Sequence, residues 1–356
     1  MRLQSIGSIL LASSLACAAQ SDPIPVLPPD QVAPERAPQQ FADMGKLRLE
    51  SGLVVRHCKM GYRTLGKLND NGSNAVLFPS WFSGRSSNLV DEVGPRKVVD
   101  DSKYFVILVD AIGDGVSCSP SNSTDQAGLS FPEFTVRDMV EAEFRLVTET
   151  LHLKHLHAVL GISMGGMQTF QWIVSHPEFM DLAVPIVGSP QLTSYDLFLW
   201  RTEERAIRDD PDWEGGKYTT SPKLPMVELL HEMNLATPKY RAEHISRAEF
   251  SKYFDDLQRK GIGDFDANDW LRQMQAMIRH DIAHGGGLEE AAAKVKARVL
   301  VVAAQQDHMV NPLPALKFAE LLHAETLVLE GDCGHLAPGC EMDKVSPAVD
   351  AFLSGK

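Results

Sequence analysis

Hydrophobic positions along the chain follow two patterns that alternate: short runs of consecutive apolar residues, and longer stretches with apolar residues three or four apart. The short runs predict buried strands, and the longer stretches predict helices with one apolar face. The strands are predicted at 53–58, 75–78, 104–109, 157–160, 182–187, 299–304 and 325–329. A helix is predicted at 137–151. Strands that alternate with helices indicate an α/β fold with a mostly parallel sheet covered on both faces.

The alternation stops between Pro190 and Lys296, where amphipathic patterns follow one another without a strand between them. They predict helices at 196–208, 226–233, 247–257 and 268–282. We interpret this segment as a helical lid inserted into the sheet domain. Its methionines and aromatic residues either contact a substrate or a second subunit, or pack the small core of the lid itself.

A Gly-x-Ser-x-Gly motif at 161–165 stands between a predicted strand and a predicted helix that begins at Met167. A nucleophile elbow requires this strand–turn–helix context. In such a turn, side chains at Gly161 and Gly165 would collide with the neighbouring strand and helix, whereas Ser163 points its hydroxyl outward. Ser163 is therefore the candidate nucleophile of an α/β-hydrolase fold. The alternative is a glycine-rich turn with an incidental serine.

A serine hydroxyl is a poor nucleophile at neutral pH and needs a histidine base that is oriented by a carboxylate. In the α/β-hydrolase fold the acid and then the histidine follow the serine along the chain. The strand before the last one leads into Asp307, and the last strand leads into His335. Open α/β sheets place their active sites at these C-terminal strand ends. We therefore predict a catalytic triad of Ser163, Asp307 and His335.

Two neighbouring residues, His308 and Asp332, are the alternatives if one member of the triad is misassigned. The oxyanion hole is predicted to use the backbone N–H groups of Met164 and of Phe82, which lies in the loop after the strand at 75–78. Acyl transfer through such a triad requires neither a metal nor a cofactor, and none is expected here.

The first residues predict a secretory signal peptide. Arg2 supplies a positive charge, residues 6–16 are apolar and uncharged, and small residues precede Gln20. The apolar run is too short to span a bilayer permanently. We therefore expect a periplasmic or secreted protein. A lipoprotein acylated at Cys17 is the alternative, although Ser14 stands where a lipobox prefers leucine.

The stretch after the signal peptide is rich in proline and predicts an extended leader before the domain. The predicted organisation is a signal peptide at 1–19, a leader at 20–44, an α/β-hydrolase core at 45–190 and 297–356, and a helical lid at 191–296.

Charge and cysteine content narrow the expected partners. The chain of 356 residues carries a net charge of −13, which becomes −14 when Arg2 leaves with the signal peptide. An acidic chain without a basic run argues against nucleic acid or anionic membrane as the main partner. The partner expected from the predicted triad is a small acyl substrate. The four remaining cysteines are Cys58, Cys118, Cys333 and Cys340. Their disulfide state stays open, and they are not spaced as a zinc site.

Several segments in the right order resemble the homoserine O-acetyltransferase family of α/β-hydrolase-fold proteins, from roughly Leu47 to the end of the chain. The segments that carry the resemblance are 61–66, 131–132 with 135–139, 161–168, 205–207 with 210–211 and 215–216, and 265–269. The resemblance implies a core with a helical lid, a serine triad at Ser163, Asp307 and His335, and a homodimer formed through the lids.

The specificity residues of these acetyltransferases are matched less well. The family typically has an aspartate directly after the catalytic histidine, for the substrate amine, where this chain has Leu336. It also has an arginine for the substrate carboxylate where this chain has Glu204, and a glutamate repels a carboxylate. Arg201 and Arg205 are candidates for compensation. The loops at 81–84 and 113–122 resemble acetyltransferase-like hydrolases of unassigned substrate instead.

These observations predict an exported serine hydrolase that cleaves an ester or a related acyl compound through an acyl-serine intermediate. Export would separate the enzyme from acetyl-CoA, which is a cytoplasmic metabolite, whereas water is available everywhere. Two alternatives stay open. One is an O-acyltransferase that passes the acyl group to a hydroxyl or amine acceptor, and the other is a non-catalytic binding module on a hydrolase scaffold.

Overall fold

The structure, a computed structural model, describes residues 36–355 and has an eight-stranded sheet at its centre. The strands are β1 (Gln40–Arg48), β2 (Val54–Leu65), β3 (Ala75–Pro79), β4 (Phe105–Val109), β5 (Leu156–Ile162), β6 (Met180–Ile186), β7 (Arg298–Ala304) and β8 (Glu325–Leu329). Their order in the sheet is β1-β2-β4-β3-β5-β6-β7-β8. The pairs from β4 to β8 are parallel, while β2 pairs antiparallel with both β1 and β4. The predicted mostly parallel α/β-hydrolase architecture is confirmed.

The predicted leader extends to residue 44, but the first strand of the sheet begins four residues earlier. β1 begins at Gln40, where it pairs with Tyr62 of β2. The two strands form a hairpin closed by a hydrogen bond from the Leu49 N–H to the Leu53 carbonyl, and so short a connection joins only antiparallel strands. β1 contains no β-branched residue, so its strand propensity is weak and the sequence pattern did not indicate it. The predicted signal peptide and the leader up to residue 35 lie outside the described residues.

Helices cover the sheet and fill the long connection between β6 and β7. The α-helices of the described residues are α1 (Ser86–Leu89), α2 (Val136–Arg145), α3 (Met164–Ser175), α4 (Ser194–Asp209), α5 (Pro225–Leu235), α6 (Pro238–His244), α7 (Phe250–Lys260), α8 (Ala267–Ile278), α9 (Leu288–Ala292), α10 (Leu313–Leu322), α11 (Ala337–Cys340) and α12 (Met342–Leu353). The helix predicted at 137–151 ends as α2 at Arg145 and continues as a π-helical segment over Leu146–Thr150. Within residues 36–355, no helix is both long and apolar enough to cross a membrane.

The helices α4 to α9 form the segment that the sequence predicts as a lid, and they include two short helices, α6 and α9, that the pattern did not indicate. Two apolar layers cover the faces of the sheet. One contains Phe78 and Phe352, and the other contains Phe170 together with Trp200 and Trp270 of the lid. Because the lid residues share a buried cluster with a face of the sheet, the lid packs as an extension of the core.

Candidate active site

The turn between β5 and α3 holds Ser163 in a strained conformation, with φ at +58° and ψ at −120°. A non-glycine residue with positive φ is uncommon and marks a site held by its surroundings. A Cβ atom on Gly161 would lie 2.3 Å from the backbone of Gly165, and one on Gly165 would lie 2.6 Å from the Pro79 carbonyl oxygen. Both glycines are therefore required by close backbone approaches, as a nucleophile elbow demands.

The structure brings the three predicted triad side chains into contact. Nε2 of His335 lies 2.8 Å from Oγ of Ser163, and Nδ1 of His335 lies 2.7 Å from Oδ2 of Asp307. Asp307 and His335 are only 6% and 7% exposed. Because a carboxylate only accepts hydrogen bonds, Nδ1 donates to Asp307 and Nε2 is left to accept from the serine hydroxyl. This arrangement allows the imidazole to take the serine proton.

The carboxylate of Asp307 is fixed by its own loop. Its Oδ1 accepts hydrogen bonds from the N–H groups of Met309 at 2.8 Å and Val310 at 2.9 Å, which leaves Oδ2 for His335. Asp332, the alternative acid, forms an ion pair with Lys239 at 2.7 Å instead. His308, the alternative base, makes no hydrogen bond to Ser163 or Asp307 in the described part of the chain. The geometry therefore favours Asp307 and His335 over both alternatives.

The two N–H groups predicted for the oxyanion hole are free to donate. Neither the Met164 N–H nor the Phe82 N–H has an acceptor among residues 36–355. Met164 is the first residue of α3, where backbone N–H groups have no partner within the helix and carry partial positive charge. Both residues are buried. Their role as oxyanion donors stays a prediction, and the free N–H groups are what that role requires.

Comparison with known proteins identifies the family. The family model described as the alpha/beta hydrolase fold matches residues 76–338. A probable esterase from Corynebacterium glutamicum is 31% identical over 337 residues, which cover 89% of this chain and 95% of that protein. The chain belongs to the α/β-hydrolase family. A homoserine O-acetyltransferase from Trichormus variabilis is 30% identical over 328 residues, which cover 85% of this chain and 90% of that enzyme.

Solved structures with the same two activities also match the chain. An acetyl esterase matches this α/β-hydrolase-fold protein with a TM-score of 0.83 at 27% identity, covering 90% of this chain and 97% of that one. A homoserine O-acetyltransferase from Bacillus anthracis matches with a TM-score of 0.81 at 27% identity, covering 89% and 97%. The predicted resemblance to the homoserine O-acetyltransferase family, in its hydrolase-like branch, is confirmed.

The loop that carries His335 is held by a disulfide and by a hydrogen bond from the lid. A disulfide joins Cys333 to Cys340 and encloses His335 in a short loop. From the lid, the hydroxyl of Thr237 donates to the Asp332 carbonyl at 2.5 Å. A second disulfide joins Cys58 of β2 to Cys118 in the loop after β4. The histidine loop is thus fixed by one covalent bond and by the lid.

Glu204 does not act as the free repulsive carboxylate that the sequence predicted. Its oxygens accept hydrogen bonds from Arg201 at 2.7 Å, from Arg208 at 2.8 Å and from Gln275 at 3.0 Å. Burial alone raises the pKa of Glu204, but these three partners outweigh burial and lower the pKa to about 2. Neither candidate for compensation is unpaired, because Arg201 binds Glu204 and Arg205 pairs with an aspartate on the next turn. Arg201 and Arg208 are committed to Glu204, so the change from the acetyltransferase pattern removes an attraction without adding a free negative charge.

An aromatic cluster of the lid packs on the oxyanion loop, and sequence analysis did not single it out. The ring of Phe82 lies 4.6 Å from Trp270, 5.6 Å from Trp200 and 5.8 Å from His231. His231 also lies 3.3 Å from the fully buried Glu203. Burial lowers the pKa of His231, but Glu203 of α4 and two glutamates of α5 outweigh burial and raise the pKa.

Within the described chain, no group of three or more potential metal ligands is present.

Proposed function

We propose that this protein is a serine hydrolase that cleaves short-chain carboxylic esters through an acyl-serine intermediate. The observation that carries the proposal is the continuous contact from the Ser163 hydroxyl through His335 to the buried Asp307. An acetyl esterase and an ethyl acetate hydrolase from Pseudomonas veronii, which is 28% identical and covers 89% of this chain, support acetyl as the acyl group. A non-catalytic binding module would not need this set of contacts.

In the acylation step, Oγ of Ser163 attacks the carbonyl carbon of the ester while Nε2 of His335 takes the hydroxyl proton. The negative charge that develops on the carbonyl oxygen is stabilised by the N–H groups of Met164 and Phe82. When the tetrahedral intermediate collapses, His335 gives the proton to the leaving alkoxide. The products of this step are the free alcohol and the acyl-serine.

In the deacylation step, a water molecule attacks the carbonyl carbon of the acyl-serine, and His335 takes its proton. The same two N–H groups stabilise the second oxyanion. Collapse returns the proton to Oγ of Ser163 and releases the carboxylic acid. Throughout, Asp307 holds the imidazole in the tautomer that lets Nε2 accept and stabilises the imidazolium that forms. One ester and one water give one acid and one alcohol.

Acyl transfer to a hydroxyl or amine acceptor is the second candidate, because several relatives are homoserine O-acetyltransferases. Two residues favour water as the acceptor. Leu336, which is 45% exposed directly after His335, offers no carboxylate to a substrate amine. At Glu204, the neighbouring arginines are already paired and no free guanidinium replaces the arginine of the family. A charge-assisted hydrogen bond is worth about 1.5–3 kcal/mol, so losing two weakens homoserine binding by several hundredfold or more.

Two measurements test the proposal. A fluorophosphonate probe should label Ser163, and Ser163→Ala should abolish both the labelling and ester hydrolysis, with only about 10³–10⁴-fold catalysis over water remaining. Supplied with acetyl-CoA and homoserine, the purified protein should form little O-acetylhomoserine while it hydrolyses a short-chain activated ester readily. Full labelling of Ser163→Ala would refute the nucleophile. Saturable transfer to homoserine that exceeds hydrolysis of the same donor would establish the acyltransferase instead.

We further propose that the protein is exported to the periplasm or secreted. The order of charged, apolar and small residues at the N-terminus supports export, and so do the two disulfides, since disulfides persist mainly in oxidising compartments. N-terminal sequencing from the native host should find a mature chain that begins near Ala19 or Gln20, or at an acylated Cys17 for the lipoprotein alternative. An intact Met1 would refute export and restore acetyl-CoA as a donor.

We also propose that the protein forms a homodimer through the lid. Large apolar side chains that are 49% to 76% exposed lie on the lid helices α4, α5 and α7; they are Tyr195, Phe198, Met226, Met233 and Phe250. Exposed apolar groups concentrated on one part of a molecule are typical of interaction surfaces. The last prediction of the Discussion tests this proposal.

A further inference from the structure

The loop that follows β3 is held by two buried glutamines from different parts of the molecule. Gln168, on α3, donates to the carbonyl of Ser80 at 3.0 Å and to the carbonyl of Met164 at 3.3 Å. Gln273, on the lid helix α8, accepts from the Ser83 N–H at 3.0 Å and donates to the Ile112 carbonyl at 3.2 Å. Both glutamine side chains are fully buried. The peptide bond that carries the Phe82 N–H thus lies between two peptide bonds that are each bound by a glutamine.

Hydrogen bonds within the loop set the direction of the Phe82 N–H. The carbonyl of Trp81 accepts from the Gly84 N–H at 3.0 Å and closes a four-residue turn. In a trans peptide the N–H points opposite to the C=O. The Trp81 carbonyl faces into the turn, so the Phe82 N–H on the same peptide faces out of it. This direction explains why the Phe82 N–H has no acceptor among the described residues.

The third residue of this turn is strained. Ser83 has φ at +59°, a conformation that usually requires glycine or asparagine at this position of a turn. Rotation of the Phe82–Ser83 peptide would relieve the strain, since turns with a negative φ at the third residue differ by the orientation of this central peptide. The same rotation would turn the Ser83 N–H away from Gln273 and leave the buried amide oxygen unpaired. Gln273 therefore opposes the change.

The core is shaped to admit the Gln273 side chain. Gly113 lies in the loop after β4, with φ at +86°. A Cβ atom on Gly113 would lie 2.7 Å from the ring of Phe134 and 3.1 Å from Cγ of Gln273. Ser83 and Gln273 are 190 residues apart in sequence. Besides the aromatic contacts of Phe82, the lid thus binds the backbone of the oxyanion loop through Gln273, and both polar atoms of its amide bind core backbone.

We propose that Gln273 is a positioning residue of the oxyanion hole: by binding the Ser83 N–H, the lid holds the turn at 81–84, and with it the Phe82 N–H, in its catalytic position. This inference rests on the proposed hydrolase function, because the Phe82 N–H stabilises an oxyanion only if Ser163 is the nucleophile. It makes the lid a structural part of the catalytic apparatus. Gln273 itself contacts neither the substrate nor the reacting atoms.

The test compares Gln273→Met with Gln275→Met. Both glutamines are buried on α8, but Gln275 donates to Glu204 at 3.0 Å and does not contact the oxyanion loop. Three quantities are measured for each variant: kcat and KM for a short-chain activated ester, the inhibition constant of a trifluoromethyl ketone that forms a hemiketal oxyanion with Ser163, and the melting temperature. Fluorophosphonate labelling confirms that Ser163 remains reactive in each variant.

Loss of a whole oxyanion donor costs about 10²–10³-fold in kcat, so displacement of the turn that carries the Phe82 N–H in Gln273→Met should lower kcat by about 10–100-fold. KM should stay within about threefold, and the ketone should bind more weakly by about the factor lost in kcat, because both changes report on the oxyanion. Gln275→Met should lower the melting temperature at least as much while keeping kcat within about threefold. A purely structural role of Gln273 would lower the melting temperature without the parallel losses in kcat and ketone affinity.

Gln273→Glu keeps an acceptor for the Ser83 N–H and carries the test if the methionine variant does not fold. When protonated, the introduced carboxyl group also donates as the amide does, so the kcat of this variant relative to wild type should recover as the pH falls. Unchanged kcat and ketone affinity in Gln273→Met would overturn this inference, and so would equal losses in Gln275→Met. In both cases a wild type that is active and labelled leaves the proposed function intact. A wild type that is neither labelled nor active would overturn both.

Discussion

Asp307 accepts a hydrogen bond from Nδ1 of His335 at 2.7 Å, although the two residues lie in different loops, after β7 and after β8. The second oxygen of Asp307 accepts hydrogen bonds from two backbone N–H groups, so only Oδ2 is left to accept from the imidazole. Both side chains are more than nine-tenths buried. The carboxylate therefore fixes the orientation and the tautomer of the imidazole.

Asp307→Asn should keep the fold and remove most of the activity. The asparagine oxygen can still accept from the two loop N–H groups, which leaves its NH₂ group facing Nδ1 of His335. The histidine must then accept at Nδ1 and carry its proton on Nε2, where it no longer accepts the proton of Ser163. We expect kcat to fall by about 10⁴-fold. Steady-state kinetics measure the loss, and an unchanged circular dichroism spectrum is the control; a loss below about tenfold would contradict the assigned role of Asp307.

The candidate triad could be predicted from the sequence because each member is tied to a local pattern. Ser163 lies in a motif flanked by a strand and a helix, and Asp307 and His335 each follow a recognisable apolar strand. The parallel arrangement of those strands brings their C-terminal ends to one edge of the sheet. Strand order and a short motif were therefore sufficient to select three residues that the fold places in contact.

The supporting contacts could not be predicted, because their partners are distant in sequence and carry no motif. Gln273 contacts Ser83 across 190 residues, and the disulfide between Cys58 and Cys118 spans 60 residues. Glu204 shows a different limit. Its identity was visible in the sequence, but its effective charge also depends on Gln275 of α8, which only the folded chain brings to it.

The stability of the protein should depend on the ionisation of Asp269, a buried residue of α8. Asp269 accepts from the Ser121 N–H at 2.9 Å and from its hydroxyl at 2.5 Å, which joins the lid to the core. Burial raises the pKa of Asp269 to about 7, and the hydrogen bonds from Ser121 only partly oppose it. In the unfolded chain the pKa of an aspartate is about 3.9. Between these two values the folded protein binds a proton that the unfolded chain does not.

The contribution of the Asp269 proton to the unfolding free energy is therefore fully present below about pH 4, and it is lost as the pH rises through about 7. We expect the unfolding free energy of the wild type to fall, relative to Asp269→Asn, as the pH is raised from about 5 to about 8. Each pKa unit corresponds to about 1.4 kcal/mol, so the change is measurable by denaturant unfolding at several pH values. A constant difference between the two proteins across this range would contradict the raised pKa.

The two disulfides should differ in accessibility and in effect. Cys340 is exposed, whereas Cys58 and Cys118 are buried, so a mild thiol reductant should open the bond between Cys333 and Cys340 first. Two electrons and two protons from the reductant give two thiols. Because this bond encloses His335, we expect activity to fall while most of the fold persists.

Double serine variants separate the two disulfides. Removing Cys333 and Cys340, which are 7 residues apart, should lower the unfolding free energy by about 2.5 kcal/mol in the chain-entropy description. Removing Cys58 and Cys118, which are 60 residues apart, should lower it by about 4 kcal/mol. The first variant should nevertheless lose the larger share of kcat at a temperature where both are folded. Equal kcat in the first variant and the wild type would show that the bond does not position His335.

The lid surface should form the subunit contact of a homodimer. Phe198 on α4 is 76% exposed, and further apolar residues of α4 and α5 are exposed as well. Static light scattering should give about twice the 39.2 kDa of one chain, less the cleaved signal peptide. Phe198→Glu should give a monomer, because a charge buried in a contact without a partner costs several kcal/mol.

Leu313→Glu is the matched control for Phe198→Glu. Leu313 is 68% exposed on α10, outside the lid, and its substitution should leave the dimer intact. A wild type that stays monomeric at all concentrations, or a Phe198→Glu variant that remains a dimer, would contradict assembly through this face.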